Sequence, residues 1–313
     1  MTKPTRMHKR GPRDGLKALG CLLLVGTLLA MSLSVAKVAD SASLPRLTFL
    51  MVALLGASGG LLLLSLPHRA AWRLDRRIFE YAAVAGSLLA LPNALGFLAV
   101  RHVGAGFISL SFAFPILATW GLAVALRLEP LRWDRLGGVS LGLAGGIVLA
   151  LSKAGGAGGS LGWSLLILLM PLALAAGNIY RTLRWPPEVS LKYLTALVLL
   201  GAALSLLPFS LLLEPGRMGE LFASPAALGL LLGEVGIFTV LYLFFFILQR
   251  LAGPVYLSQI GTVAAVIGTA VAVLALGEPT PPNLLPAAAL VIVGTLVFQR
   301  GAPGRPARAS ASA

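Results

Sequence analysis

Acidic residues are scarce in this chain. Its 313 residues hold 11 Asp and Glu against 25 Lys and Arg, and charged residues of both signs amount to only 12%. A soluble globular domain carries about a quarter. So few charges cannot cover the surface of a water-soluble protein of this size. That excludes a soluble enzyme, a nucleic-acid-binding domain and a disordered chain. The single cysteine, Cys21, allows no disulfide within the chain. It sits in an apolar run and reads as a small hydrophobe. The three histidines, His8, His68 and His102, are too scattered for a metal site. No G-x-x-x-x-G-K-[ST] stretch is present, which argues against ATP-driven transport by this chain alone. No cofactor, no metal and no catalytic cluster is expected.

Apolar residues fill the space that charges leave. They make up 58% of the sequence, and the mean hydropathy is +0.90. A membrane-crossing helix needs about 20 mostly apolar residues. Ten such runs occur, near 18–38, 47–66, 79–99, 105–126, 136–152, 162–182, 191–213, 226–249, 254–277 and 285–299. The runs are continuous, not alternating, which disfavours a barrel. Turn chemistry separates them, as at Pro67, Pro186–Pro187 and Pro281–Pro282. The first run follows a basic stretch like that of a signal peptide, but at about 19 residues it exceeds the usual apolar core of ~7–15. An uncleaved first span is expected. The fold class is therefore all-α: a polytopic membrane protein.

Lys and Arg collect on the cytoplasmic side of membrane proteins. With ten spans and the N-terminus inside, 20 of the 25 fall on the inner side and 5 on the outer. Shifting the frame by one span destroys this asymmetry. Both termini are thus expected in the cytoplasm, with the chain integral to the cytoplasmic (inner) membrane. Residues 1–17 then form a basic tail and 301–313 a disordered one. The basic tails read as topology signals and contacts with membrane lipid, with no nucleic-acid partner.

The two halves resemble each other. Offset by 149 residues, Phe97 meets Phe246, Arg101 meets Arg250, Gly104 meets Gly253 and Ser109 meets Ser258. Glu129–Pro130 meets Glu278–Pro279, and Gly145 meets Gly294. Spans one to five (18–153) match spans six to ten (162–300). Five is odd, so the second half enters the membrane in the opposite sense. Inverted repeats of this kind occur in secondary transporters, with the solute site near mid-membrane.

Few polar groups lie inside the runs. An ionisable group at mid-bilayer costs about 2.5–3.5 kcal/mol and is a functional hypothesis by default. Glu234 qualifies: it lies nine residues into span eight, about 12 Å deep at 1.5 Å per residue. Phe238 and Tyr242 follow at i+4 and i+8 on the same face. A carboxylate beside aromatics could meet an amino group or bind a proton, or could pair structurally with Lys37 or a hydroxyl of another helix. Asn93 follows Pro92, which removes the helical partner of the Leu88 carbonyl and should kink span three. Pro115 is expected to free Ser111 in the same way. Tyr256, Ser258, Gln259 and Thr262 make span nine polar at its start, and Gln259 and Thr262 share a face. Phe97 is a further candidate for the lining. Asn178 and Tyr180 fall near the end of span six, where interfacial anchoring explains them equally well. Gly138/Gly142/Gly146 and Gly56/Gly60 form GxxxG steps, which permit close helix contact within the chain or across a homodimer face.

The segment from Pro92 to Leu151 resembles the EamA-type family of the drug/metabolite transporter superfamily. It carries a Gly/Ala-rich helix holding Pro115, the pair Leu128–Glu129, and a Gly-rich final helix. Leu276–Gly277–Glu278 and Val293–Gly294–Thr295 look like the same signature in the second half, and Leu174 to Tyr180 is similar to the family's sixth helix. The resemblance covers 18–300. It implies ten helices in two inverted repeats and export or import of small metabolites, amino acids included, without chemistry on them. Two features depart from the pattern. Ala264 stands opposite Pro115, and the second span has no Arg inside it. The first span lacks the membrane Glu of the small four-helix relatives. The expected function is a secondary carrier of a small organic solute. The alternatives are a scaffold or accessory subunit, and a proton-coupled multidrug carrier.

Overall fold

The computed structural model describes residues 12–67, 74–112, 114–126, 161–186, 189–277 and 283–300, with scattered positions at 72 and between 131 and 148. Among the described residues the chain is helical throughout. The elements are α1 (Pro12–Ser41), α2 (Arg46–Ser65), α3 (Arg76–Val103), α4 (Ala105–Ser111), α5 (Pro115–Ala125), α6 (Leu161–Leu183), α7 (Leu191–Leu213), α8 (Pro225–Leu257), α9 (Ile260–Leu274) and α10 (Leu284–Arg300). A short 3₁₀ turn, Arg217–Phe222, joins α7 to α8. Among the described residues, six helices are long and apolar enough to cross a membrane: α1, α2, α3, α6, α7 and α8. Their outward faces stay apolar, with Leu204, Phe209, Leu211 and Leu212 on α7 all exposed. A water-facing protein rarely shows such a continuous apolar face.

The run expected at 105–126 is two helices. Pro115 does not sit within a span but opens α5. Its fixed φ and missing N–H suit the first helical position. The Ser111 carbonyl, expected to lose its partner, accepts from the Phe114 N–H at 3.2 Å. The run at 254–277 is also interrupted. Gly253 has φ 78° and ψ 177°, so α8 bends sharply there, and Ser258 and Gln259 separate its end from α9. Gly104, between α3 and α4, has φ 81° and ψ 159°. The fifth run falls mostly outside the described residues, Gly146 included.

The helices pack as a set of reciprocal pairs. Helix α1 packs on α8 and α9, as α6 packs on α3 and α5. Helix α2 packs on α8, as α7 packs on α3, while α2 meets α7 and α4 meets α9. Small residues set the close crossings. A Cβ added to Gly86 would stand 2.5 Å from the Ala202 backbone nitrogen, and one added to Gly201 would stand 2.4 Å from the Ala82 carbonyl oxygen. Backbones so close leave no room for a side chain. The GxxxG glycines serve the same purpose inside the chain. Gly56 faces Val235, and Gly294 faces the backbone of Gly138 and Gly142.

Two apolar cores result. One joins α1, α2, α3, α7 and α8 around Phe49, Phe97, Phe238 and Phe246. The other gathers the end of α3 with α4, α5, α6 and α9 around Ile108, Ile116, Trp120 and Met170.

Candidate functional site

Helix α8 starts from a capped end: Ser224 accepts the Ala227 N–H at 3.1 Å, and Pro225 follows at the first position. From there the i+3/i+4 spacing turns Glu234, Phe238, Tyr242, Phe245 and Gln249 to one face. Glu234, Phe238, Tyr242 and Gln249 are buried.

Glu234 is fully enclosed, at 0% exposure. Its Oε1 accepts the Ser32 hydroxyl of α1 at 2.5 Å. Its Oε2 has no hydrogen-bond partner among the described residues. The hydroxyl of another helix is thus half of the environment. An unpaired buried polar atom costs about 1–3 kcal/mol, and more if charged. One carboxylate oxygen is therefore free to hold a proton or to accept from an incoming donor.

Tyr242 joins this carboxyl to α3. Its ring lies 5.3 Å from that of Phe238. Its hydroxyl lies near the Asn93 side chain. Asn93 Nδ2 donates to the Leu89 carbonyl at 2.7 Å, in the turn that Pro92 opens. One turn on, Phe97 stacks on Phe49 of α2 at 6.3 Å. The structure so brings Glu234, Phe238, Tyr242 and Asn93 together, with Phe97 alongside.

Tyr256, Gln259 and Thr262 stand at the α8–α9 break, where Tyr256 packs against the first core. Gln259 precedes α9 and is half-buried, and Thr262 Oγ1 lacks a partner among the described residues. Pro115 is buried at the start of α5, between Phe114 and Ile116 of the second core.

A larger polar cluster was hidden in the sequence. Arg181 of α6, which reads as a flanking topology charge, is 1% exposed and among the largest fully buried side chains. Its Nη2 donates to Asn178 Oδ1 at 2.7 Å and its Nε to Gln249 Oε1 at 3.2 Å. Its guanidinium lies over the Phe245 ring at 5.2 Å. Gln249 Nε2 donates back to the Asn178 carbonyl at 3.2 Å. Asn178 is therefore a buried partner, not an interfacial anchor. Two signals pointed here: Asn178 and Arg181 are three apart, and the Glu234 stripe runs on to Gln249.

Glu214 is a further carboxylate, one the sequence does not single out, and it has a structural task. It accepts the N–H groups of Leu47 and Thr48 at 3.1 and 2.8 Å, and the Thr48 hydroxyl at 2.8 Å. Helix α2 begins after Pro45, which offers no capping side chain. The C-terminal end of α7 supplies the cap across 166 residues.

No protein-family model matches the sequence, and no curated protein matches it. A solved crystal structure superposes with a TM-score of 0.66 at 18% identity, covering 96% of this chain and 99% of the other. The likeness extends to nearly the full length of both chains and concerns the fold alone.

Proposed function

We propose that this chain is a secondary carrier. It moves a small organic metabolite, an amino acid or a solute of similar chemistry, across the cytoplasmic membrane by alternating access, in the direction of export. The carrying observation is Glu234: a fully buried carboxyl with one unpaired oxygen, seated beside aromatic rings where α1, α3 and α8 meet. A scaffold has no need of such a group, and its cost argues for a partner that comes and goes.

The architecture supports the same reading. Ten spans, in two inverted halves of the EamA type, account for the reciprocal packing of α1–α5 and α6–α9. They account equally for the matched glycine bends at 104 and 253. Interrupted helices near a shared site are a feature of secondary transporters. Glu234 is fully enclosed, so a solute reaches it only when one half moves against the other. Glu234 is the residue for a coupled proton. With both termini in the cytoplasm, the Lys and Arg asymmetry is explained.

The test is uptake into proteoliposomes of purified protein, with a panel of labelled amino acids and cationic drugs, with and without a pH gradient. Saturable uptake of one class is the expected result. Folded protein that moves nothing in the panel would overturn the reading.

A further inference from the structure

Arg181 is a cation without an anion. No carboxylate lies within ion-pair distance of it among the described residues, and its Nη1 has no hydrogen-bond partner there. The amide oxygens of Asn178 and Gln249 and the face of Phe245 offset part of the cost of burying it. They leave its charge unneutralised. A buried cation is strongly disfavoured unless paired.

A second orphan lies on α3, the helix packed against α6. The hydroxyl of Tyr81 is also buried without a partner among the described residues, within electrostatic reach of the Arg181 charge. The Tyr81 ring is held by Tyr180 at 6.0 Å and Trp185 at 6.3 Å. Trp185 in turn packs on Phe246 at 6.0 Å. Two unsatisfied donors, a phenol O–H and a guanidinium N–H, therefore sit within a wall of flat rings drawn from α3, α6 and α8.

We propose that Arg181 and Tyr81 form the binding site for the carboxylate of the solute. The solute class is a small organic carboxylate with a flat apolar body. The two donors suit the two oxygens of a carboxylate, and such charge-assisted bonds are the stronger kind. The anion neutralises the guanidinium, and the rings cover the body by stacking. Solutes whose only charge is positive are repelled. Glu234 is a separate point: it lies 11 residues along α8 from Phe245, the ring beneath the Arg181 guanidinium, about 16 Å at 1.5 Å per residue. With the solute carboxylate held at Arg181, Glu234 stays available to a proton. This inference rests on the carrier reading for the word solute, but binding can be measured without transport.

The experiment is calorimetric titration of the purified full-length chain with phenylacetate, its neutral isostere phenylacetamide, and phenethylamine. Phenylacetate should bind tenfold or more tighter than the amide, and the amine weakest. Tyr81→Phe deletes one hydroxyl and keeps the stacked ring, so it should weaken phenylacetate about tenfold and leave phenylacetamide unchanged. Arg181→Met should erase the preference for the acid, and Arg181→Lys should restore part of it. Equal binding of acid and amide, no binding of the acid, or a preference that survives both Tyr81→Phe and Arg181→Met would overturn the proposal. If Arg181→Met fails to fold, Tyr81→Phe decides alone. Proteoliposome transport of only neutral or cationic solutes would overturn this site and keep the carrier. Acid binding without transport of any solute would keep this site and overturn the carrier.

Discussion

Gly104 and Gly253 stand 149 residues apart and hold nearly the same backbone, φ 81° and ψ 159° against φ 78° and ψ 177°. That region of backbone space is open almost only to glycine. Each residue ends a long helix and starts a short one. Gly104→Ala and Gly253→Ala should therefore each cost about 1–3 kcal/mol. A Cβ at Gly253 meets nothing within 4 Å, so the cost there is conformational and not steric. Thermal unfolding in detergent checks both, and a neutral Gly253→Ala would refute the argument.

Glu234 carries the coupling hypothesis. If transport responds to a pH gradient, Glu234→Gln should remove that response while keeping the shape of the side chain. Ser32→Ala should alter it less, because the carboxyl remains. Gradient dependence retained in the Gln variant would reassign the proton to another group.

Glu214 tests the capping argument. Glu214→Ala leaves the Leu47 and Thr48 N–H groups and the Thr48 hydroxyl without this acceptor. A lost cap costs about 0.5–2 kcal/mol, and an unpaired buried donor about 1–3. The variant should unfold at a lower temperature than the parent, while solute specificity stays as it was. Thr48 Oγ1 keeps its 2.7 Å contact with Ser210 Oγ, so the loss falls mainly on the backbone.

Gly86 and Gly201 test the crossing of α3 and α7. A Cβ at either would meet backbone atoms within 2.5 Å, and backbone cannot step aside. Gly86→Val and Gly201→Val should fail to give folded protein by size-exclusion chromatography. Gly236→Ala, with nothing within 4 Å, is the matched control and should fold.

Much of the fold was legible because membrane helices report themselves by composition. Length and apolarity alone mark α1, α2, α3, α6, α7 and α8, since lipid demands a helix with an apolar surface. The Glu234 stripe was legible too, because a carboxylate in an apolar run is rare and helical periodicity is local. Other features depend on distant partners. A proline in an apolar run reads equally as a kink or a start, and only the chain around Pro115 makes it a start. Arg181 looks like one more basic residue at a helix end. Burial depends on what packs over it, and that cover comes from α3 and α8, far away in sequence. Glu214 caps a helix that begins 168 residues earlier. Composition and period thus determined that this chain is a helical membrane protein with a carboxyl inside it. Tertiary packing alone decided which charges are enclosed and what they face.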